Sequence, residues 1–157
     1  MSVSQTLRKA GPDDVPALVG LMTEFYAEAA FALNPRRASA AFAPLLADER
    51  LGLVWFIRVE AGDIGYVVVT FSYSMEYGGP SAIVDDFFIR PAFRGLGIGK
   101  AALAQACQIC AERGARAMHV ETGDDNQAAL AVYRRVGFAD TKRVHLTLKL
   151  AEPTHAP

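Results

Sequence analysis

Asp85-Asp86-Phe87-Phe88-Ile89-Arg90-Pro91-Ala92-Phe93-Arg94-Gly95-Leu96-Gly97-Ile98-Gly99-Lys100 runs from a β-rich stretch through a glycine turn into a helical pattern. Glycines let a backbone approach a ligand closely, and the free N–H groups of a helix start point at an anion. Arg94 and Lys100 add positive charge. The segment therefore suits a phosphate or pyrophosphate. Two common phosphate loops do not fit it. A Walker loop needs Gly five residues before its Gly-Lys and Ser or Thr after the Lys. Arg94 and Ala101 stand at those places. The dinucleotide fingerprint needs Gly-x-Gly-x-x-Gly, and Lys100 falls where its third Gly belongs.

Upstream, Leu53–Glu60 and Ile64–Tyr73 flank Ala61-Gly62-Asp63 and predict a hairpin. Met75–Pro80 is a loop, and Ser81–Ile89 is a third long strand. Thr6–Ala10 predicts a short first strand. Gly11-Pro12-Asp13-Asp14 then opens a helix, with acids at its positive end. Val15, Leu18, Val19, Met22, Phe25, Tyr26 and Ala29 follow helical spacing. Asn34-Pro35 restarts a second helix to about Ala47, with Phe42, Leu45 and Leu46 toward the core. Downstream, a helix runs from Ile98 to Arg113 and stops at Gly114. Arg116–Glu121 is a strand, and Asn126–Val136 is a helix closed by Gly137. Phe138–Asp140 and Val144–Leu150 finish as strands, and Ala151–Pro157 is expected to fray. The order β-α-α-β-β-β-α-β-α-β-β predicts an α/β (α+β) fold with helices covering a mixed, mainly antiparallel sheet.

At 157 residues, 1–150 is expected to form a single domain. Hydrophobic residues make up 52% and charged residues 21%, a globular balance that excludes disorder as the main theme. Sixteen Lys and Arg against seventeen Asp and Glu leave a net charge of −1, which argues against a nucleic-acid partner. No apolar run approaches the roughly 20 residues of a membrane span, and Met1–Lys9 does not read as a signal peptide. Two cysteines, Cys107 and Cys110, make no disulfide framework, and helix packing is expected of both. His119, His145 and His155 are scattered, so no metal site is expected. A cytoplasmic protein without a membrane partner is the expectation.

Arg94-x-x-Gly97-x-Gly99 resembles the pyrophosphate motif Q/R-x-x-G-x-G/A of the GCN5-related N-acetyltransferase (GNAT) superfamily. Asn126-x-x-Ala129-x-x-x-Tyr133-x-x-x-Gly137-Phe138 is similar to that family's N-x-x-A-x-x-x-Y-x-x-x-G-F segment. Asp85-Asp86-Phe87-Phe88-Ile89 looks most like the diamine (polyamine) acetyltransferase branch, which has Glu-Asp-Phe-Phe-Val there; Asp85 is one methylene shorter than that Glu. The resemblance implies a GNAT-like fold, acetyl-CoA as cosubstrate, and transfer of its acetyl group to a primary amine of a small molecule. It also makes a homodimer plausible.

The resemblance further implies pantetheine beside Phe87, Phe88 and Ile89, with a backbone N–H near Ile89 polarising the thioester. Arg94, Gly95, Leu96, Gly97, Ile98, Gly99 and Lys100 would hold the pyrophosphate through backbone amides, and Asn126 would meet the cofactor near pantetheine. Tyr133 matches the general acid; a phenol of pKa about 10 stays protonated at neutral pH. Neighbouring strand residues face opposite sides, so Asp85 and Asp86 are not expected to share a cleft. The resemblance selects Asp85 as base, directly or through water. Glu24 and Glu28 share a helix face, either solvated or lining the acceptor cleft. Tyr73, Met75, Glu76 and Tyr77 would border the acceptor from their loop, and Trp55 is core. No well-placed nucleophilic Cys is evident, so transfer is expected to be direct. A protein or peptide N-acetyltransferase and a non-catalytic acyl-CoA sensor are the alternatives.

Overall fold

Gly52 to Ile57 are all buried, and their side chains alternate between two cores. That alternation explains the architecture, because a strand apolar on both faces needs cover on both. The computed structural model describes residues 4–152. Most of the tail expected to fray, His155 included, lies outside the described residues.

The strands are β1 (Thr6–Lys9), β2 (Gly52–Val59), β3 (Gly62–Ser74), β4 (Gly79–Ile89) and β5 (Met118–Val120). They form one sheet in the order β1-β2-β3-β4-β5. Pairing is antiparallel from β1 to β4, and β5 joins β4 in parallel. The helices are α1 (Val15–Glu28), α2 (Pro35–Ala47), α3 (Ile98–Glu112) and α4 (Gln127–Val136). This is the expected mixed, mainly antiparallel sheet flanked by helices.

On one face Leu53, Trp55, Ile57, Val67 and Val69 pack against Ile98, Ala102, Leu103 and Ala106 of α3 and Tyr133 of α4. On the other, Val54, Phe56, Tyr66, Val68 and Phe88 pack against Leu18 and Leu21 of α1 and Phe42 of α2. Leu21 lies outside the stripe read from the sequence, yet it is 4% exposed. Local signals placed the helix ends well. The Asn34 side chain accepts from the Arg36 and Arg37 amides at 3.1 and 3.2 Å. Gly114 and Gly137 close α3 and α4 with φ of +94° and +122°.

The chain end departs from expectation. Phe138–Asp140 and Val144–Leu150 are in no sheet. His145, expected in a strand, lies in an exposed segment without regular secondary structure, beside Glu121. An alternating pattern specifies one wet and one dry face, but it does not supply the neighbouring strand.

β3 and β4 lie very close at Gly65, where a Cβ would fall 2.1 Å from the Phe88 carbonyl oxygen. Gly65→Ala should therefore destabilise the fold by about 3 kcal/mol, as overpacking against rigid backbone does. Urea unfolding at neutral pH measures that loss.

Candidate active site

β4 loses its neighbour halfway along. β5 pairs with it only from Ala82 (opposite Met118) to Val84 (opposite Val120). Asp85–Ile89 then run on with β3 on one side and, among the described residues, no strand on the other. β5 ends at Val120, so beyond Val84 the edge of β4 carries backbone groups that a strand-like ligand can pair with.

A bulge sits where β5 ends. Val68 pairs with Asp86 and Val69 with Val84, which leaves Asp85 as the extra residue. The extra residue shifts the phase of the side chains. Ala82 and Val84 face the α3 core before it, and Phe87 and Ile89 face that core after it. Asp85 and Asp86 thus both fall on the α1 side. The expectation that alternation would keep them on opposite faces is corrected here, because alternation holds only within an unbroken ladder.

The two carboxylates differ. Asp85 is exposed. Asp86 accepts the Tyr66 hydroxyl proton at 2.8 Å. Burial raises the Asp86 pKa from 3.8 to about 6; the Tyr66 bond opposes that rise and the Asp85 charge adds to it. Tyr26 of α1 faces the same pair. Its pKa is raised by burial first, then by Asp86 and Asp85. Neither Tyr26 nor Tyr66 was singled out from the sequence for this site.

Three glycines after β4 do two different jobs. Gly95 and Gly97 have φ of +75° and +82°, and a Cβ at either would meet nothing within 4 Å. They are needed for the left-handed backbone, and they leave open space beside the start of α3. At Gly99 a Cβ would come within 3.3 Å of Phe87 and 3.4 Å of Ile89, so this glycine lets α3 sit on β4.

The arginines of this loop are engaged. Arg94 donates from Nε to the Ile89 carbonyl at 2.8 Å and from both Nη atoms to Glu28 at 2.5 and 2.7 Å. Arg90 donates to Glu24 at 2.8 and 2.7 Å and to the Asp63 carbonyl at 3.1 Å. The guanidiniums hold both glutamates below their ordinary pKa of 4.5. Glu24 and Glu28 are exposed, as a solvated face would be, and through these pairs they clamp α1 to the loop. The sequence shows the matching spacing but not which residues pair. Glu24 and Glu28 are four apart, and so are Arg90 and Arg94.

From α4, Tyr133 reaches the same region. Its ring lies 6.2 Å from that of Phe87 and 5.9 Å from that of Phe138. Burial pushes its pKa up to about 12. Asn126 is the cap of α4, its Oδ1 accepting from the Ala129 amide at 3.2 Å. Ile98 is buried, whereas Leu96 and Lys100 are exposed. Tyr73, Met75, Glu76 and Tyr77 stand at the far end of β4 from the glycine loop. Glu76 pairs with Arg143, and Tyr77 packs on His119. Trp55 is 4% exposed, and Cys110 is buried on α3. Among the described residues, no three His, Cys, Asp or Glu side chains are grouped to hold a metal, and no helix is long and apolar enough to cross a membrane.

A glycine loop opening a helix beside the edge that β4 leaves open past β5 suits a CoA-type ligand. Residues 19–138 match the Acetyltransferase (GNAT) family, and the chain belongs to that family. Integron Cassette Protein HFX_CASS3, from the mobile metagenome of Cole Harbour Salt Marsh, is 46% identical and superposes with a TM-score of 0.84 over 96% of this chain and 93% of its own. The streptothricin acetyltransferase of Streptomyces lavendulae is 28% identical over 84% of this chain and 80% of its own. A predicted acetyltransferase with acetyl-CoA from Clostridium acetobutylicum shares the fold at 21% identity, with a TM-score of 0.76 over 97% of this chain and all of its own. This chain spans less than half the length of some curated relatives that it matches. The matches do not single out the diamine acetyltransferase branch.

Asp86 gives the site a pH signature. An acid whose pKa is raised by folding binds more protons in the native state than in the unfolded one. The contribution of Asp86 to stability therefore falls as pH rises from about 4 to about 6 and levels off above that. Asp86→Asn should remove this fall, so the variant gains stability relative to the wild type as pH rises. Urea midpoints at pH 4 and pH 8 measure it.

Proposed function

We propose that this chain transfers an acetyl group from acetyl-CoA to a primary amine of a small molecule. The observation that carries the proposal is the convergence of three features at the end of β4: the edge of Asp85–Ile89 left without a second strand among the described residues, the open left-handed turn at Gly95 and Gly97, and the buried Tyr133 beside Phe87. Acetyl-CoA supplies an activated thioester. Its pantetheine amides suit the free edge of Phe87, Phe88 and Ile89, and its pyrophosphate suits the amides from Arg94 to Lys100. Arg94 serves by fixing the loop, since Glu28 and the Ile89 carbonyl already occupy its guanidinium. Asn126 shapes the same wall by starting α4.

Transfer is direct. The neutral amine nitrogen bonds to the acetyl carbon, and the carbon–sulfur bond breaks. Tyr133 donates its hydroxyl proton to the departing sulfur; burial keeps that phenol protonated throughout the working pH range. Asp85 takes the proton released by the amine, directly or through one water. Asp86, bonded to Tyr66, adds negative charge on the same face and favours a cationic amine arriving there. The polyamine-like acceptor rests on the likeness of Asp85–Ile89 to the diamine branch. Streptothricin acetyltransferase, matched over most of this chain, supports small-molecule acceptors more broadly.

Thiol release from acetyl-CoA against polyamines, amino acids, aminoglycosides and N-terminal peptides tests the reading. Tyr133→Phe should lower turnover about 100-fold or more, as loss of a general acid does, and leave acetyl-CoA affinity unchanged. A variant as fast as the wild type would remove Tyr133 from its acid role. Acetyl-CoA binding without release for any amine would favour a sensor.

A further inference from the structure

α1 ends in a turn that holds an aromatic side chain in the open. The Ala29 N–H donates to the Phe25 carbonyl at 3.0 Å, the Ala30 N–H to the Ala27 carbonyl at 3.3 Å, and the Phe31 N–H to the Tyr26 carbonyl at 2.9 Å. Ala30 takes a φ of +56°. This is a left-handed helix cap, with alanine where glycine is usual. The cap folds the chain back and sets the Phe31 ring 5.9 Å from that of Tyr26, edge to face at 70°. That contact does not bury Phe31, which stays 64% exposed. A ring fixed by backbone bonds and left open to water is a surface for an apolar or cationic group.

Tyr26 joins that ring to the acids of β4. Its neighbour Phe25 lies 5.5 Å from the Phe88 ring and 6.5 Å from the Tyr66 ring, which seats this end of α1 on β3 and β4. Tyr66 donates to Asp86 at 2.8 Å. The Tyr26 hydroxyl feels burial first and then the charges of Asp86 and Asp85. The glutamates of α1 do not share in this field as free charges, because Arg90 pairs with Glu24 and Arg94 with Glu28. Among the described residues neither Asp85 nor Asp86 pairs with a Lys, Arg or His; Asp86 has the neutral Tyr66 hydroxyl.

Aromatic faces beside unpaired carboxylates select one kind of amine. An ammonium group is drawn to both. Methylenes next to the nitrogen gain by leaving water against the rings. A carboxylate on the carbon that bears the nitrogen meets two like charges, and such juxtaposition rejects a ligand.

We propose that Tyr26 and Phe31 are specificity-determining residues for the acceptor: they form an aromatic wall beside Asp85 and Asp86 that takes the carbon chain of a primary alkylamine, while the two aspartates turn away amines with a carboxylate next to the nitrogen. The inference rests on the acetyl-transfer reading for the place of the acceptor and deepens it by naming the acceptor's chemistry.

Four probes decide it: ethylamine, n-pentylamine, norleucine and norleucinamide. Norleucine is n-pentylamine with a carboxylate on the carbon bearing nitrogen, and norleucinamide has a neutral amide there. Each is titrated calorimetrically into the full-length chain with and without CoA, and each is tried for thiol release from acetyl-CoA. The wild type should bind n-pentylamine about tenfold more tightly than ethylamine, as half burial of three methylenes gives. It should bind norleucinamide about tenfold or more above norleucine, and Asp86→Asn should narrow that gap. Phe31→Ala, with wild-type circular dichroism, should erase most of the preference for the longer chain. It should raise KM for n-pentylamine about tenfold at unchanged kcat, while Phe31→Tyr keeps the preference. Tyr26→Leu should lose it and Tyr26→Phe keep it. A wild type without either preference overturns the proposal, as does a Phe31→Ala variant that still prefers the longer chain; this holds even where Tyr26→Leu fails to fold. Thiol release without the preferences removes the wall and leaves the transfer reading standing. The preferences in binding without thiol release uphold the wall and sink the transfer reading.

Discussion

The site depends on β4 outrunning its neighbour β5. β4 and β5 share three residue pairs, and β5 ends at the place where Asp85 bulges out of the ladder with β3. A bulge increases local twist and bends its strand, and here it coincides with the loss of a neighbour. The same event turns Asp86 toward Tyr66 and keeps Phe87 and Ile89 on the α3 side. One inserted residue thus gives β4 a free backbone edge, an acidic face and an apolar face within five positions.

The surroundings hold that edge in place. Gly99 lets α3 approach Phe87 and Ile89 closely, while Gly95 and Gly97 bend the chain from strand to helix. Arg90 and Arg94 bind Glu24 and Glu28 and so tie α1 to the bend. Exposed pairs of this kind contribute about 1 kcal/mol or less each, so their value lies in orientation. Two bidentate contacts one helical turn apart fix the angle as well as the position of α1. Motif Arg94 is therefore a structural brace, which its place in a pyrophosphate motif does not by itself reveal.

Much of this was legible in the sequence. The order of elements up to α4, the caps at Asn34, Gly114 and Gly137, and the glycine turn all follow from local chemistry acting on local structure. Three features were not legible, and each depends on something distant. The bulge breaks the alternation that separated Asp85 from Asp86, and it shows only in the register with β3. The glutamate–arginine clamp joins residues 66 positions apart. The strands expected at 138–140 and 144–150 have the right pattern but no neighbour among the described residues. Pattern encodes which face of an element is dry; it does not encode what dries it.

The central claim is that the open edge of β4 and the turn behind it form the seat of acetyl-CoA. Amide hydrogen exchange with and without acetyl-CoA tests this most directly. The account predicts slowed exchange in peptides covering Asp85–Ile89 and Gly95–Lys100, with little change in β1 and β2. Slowed exchange confined to other segments, or unchanged exchange at saturating acetyl-CoA, would contradict it.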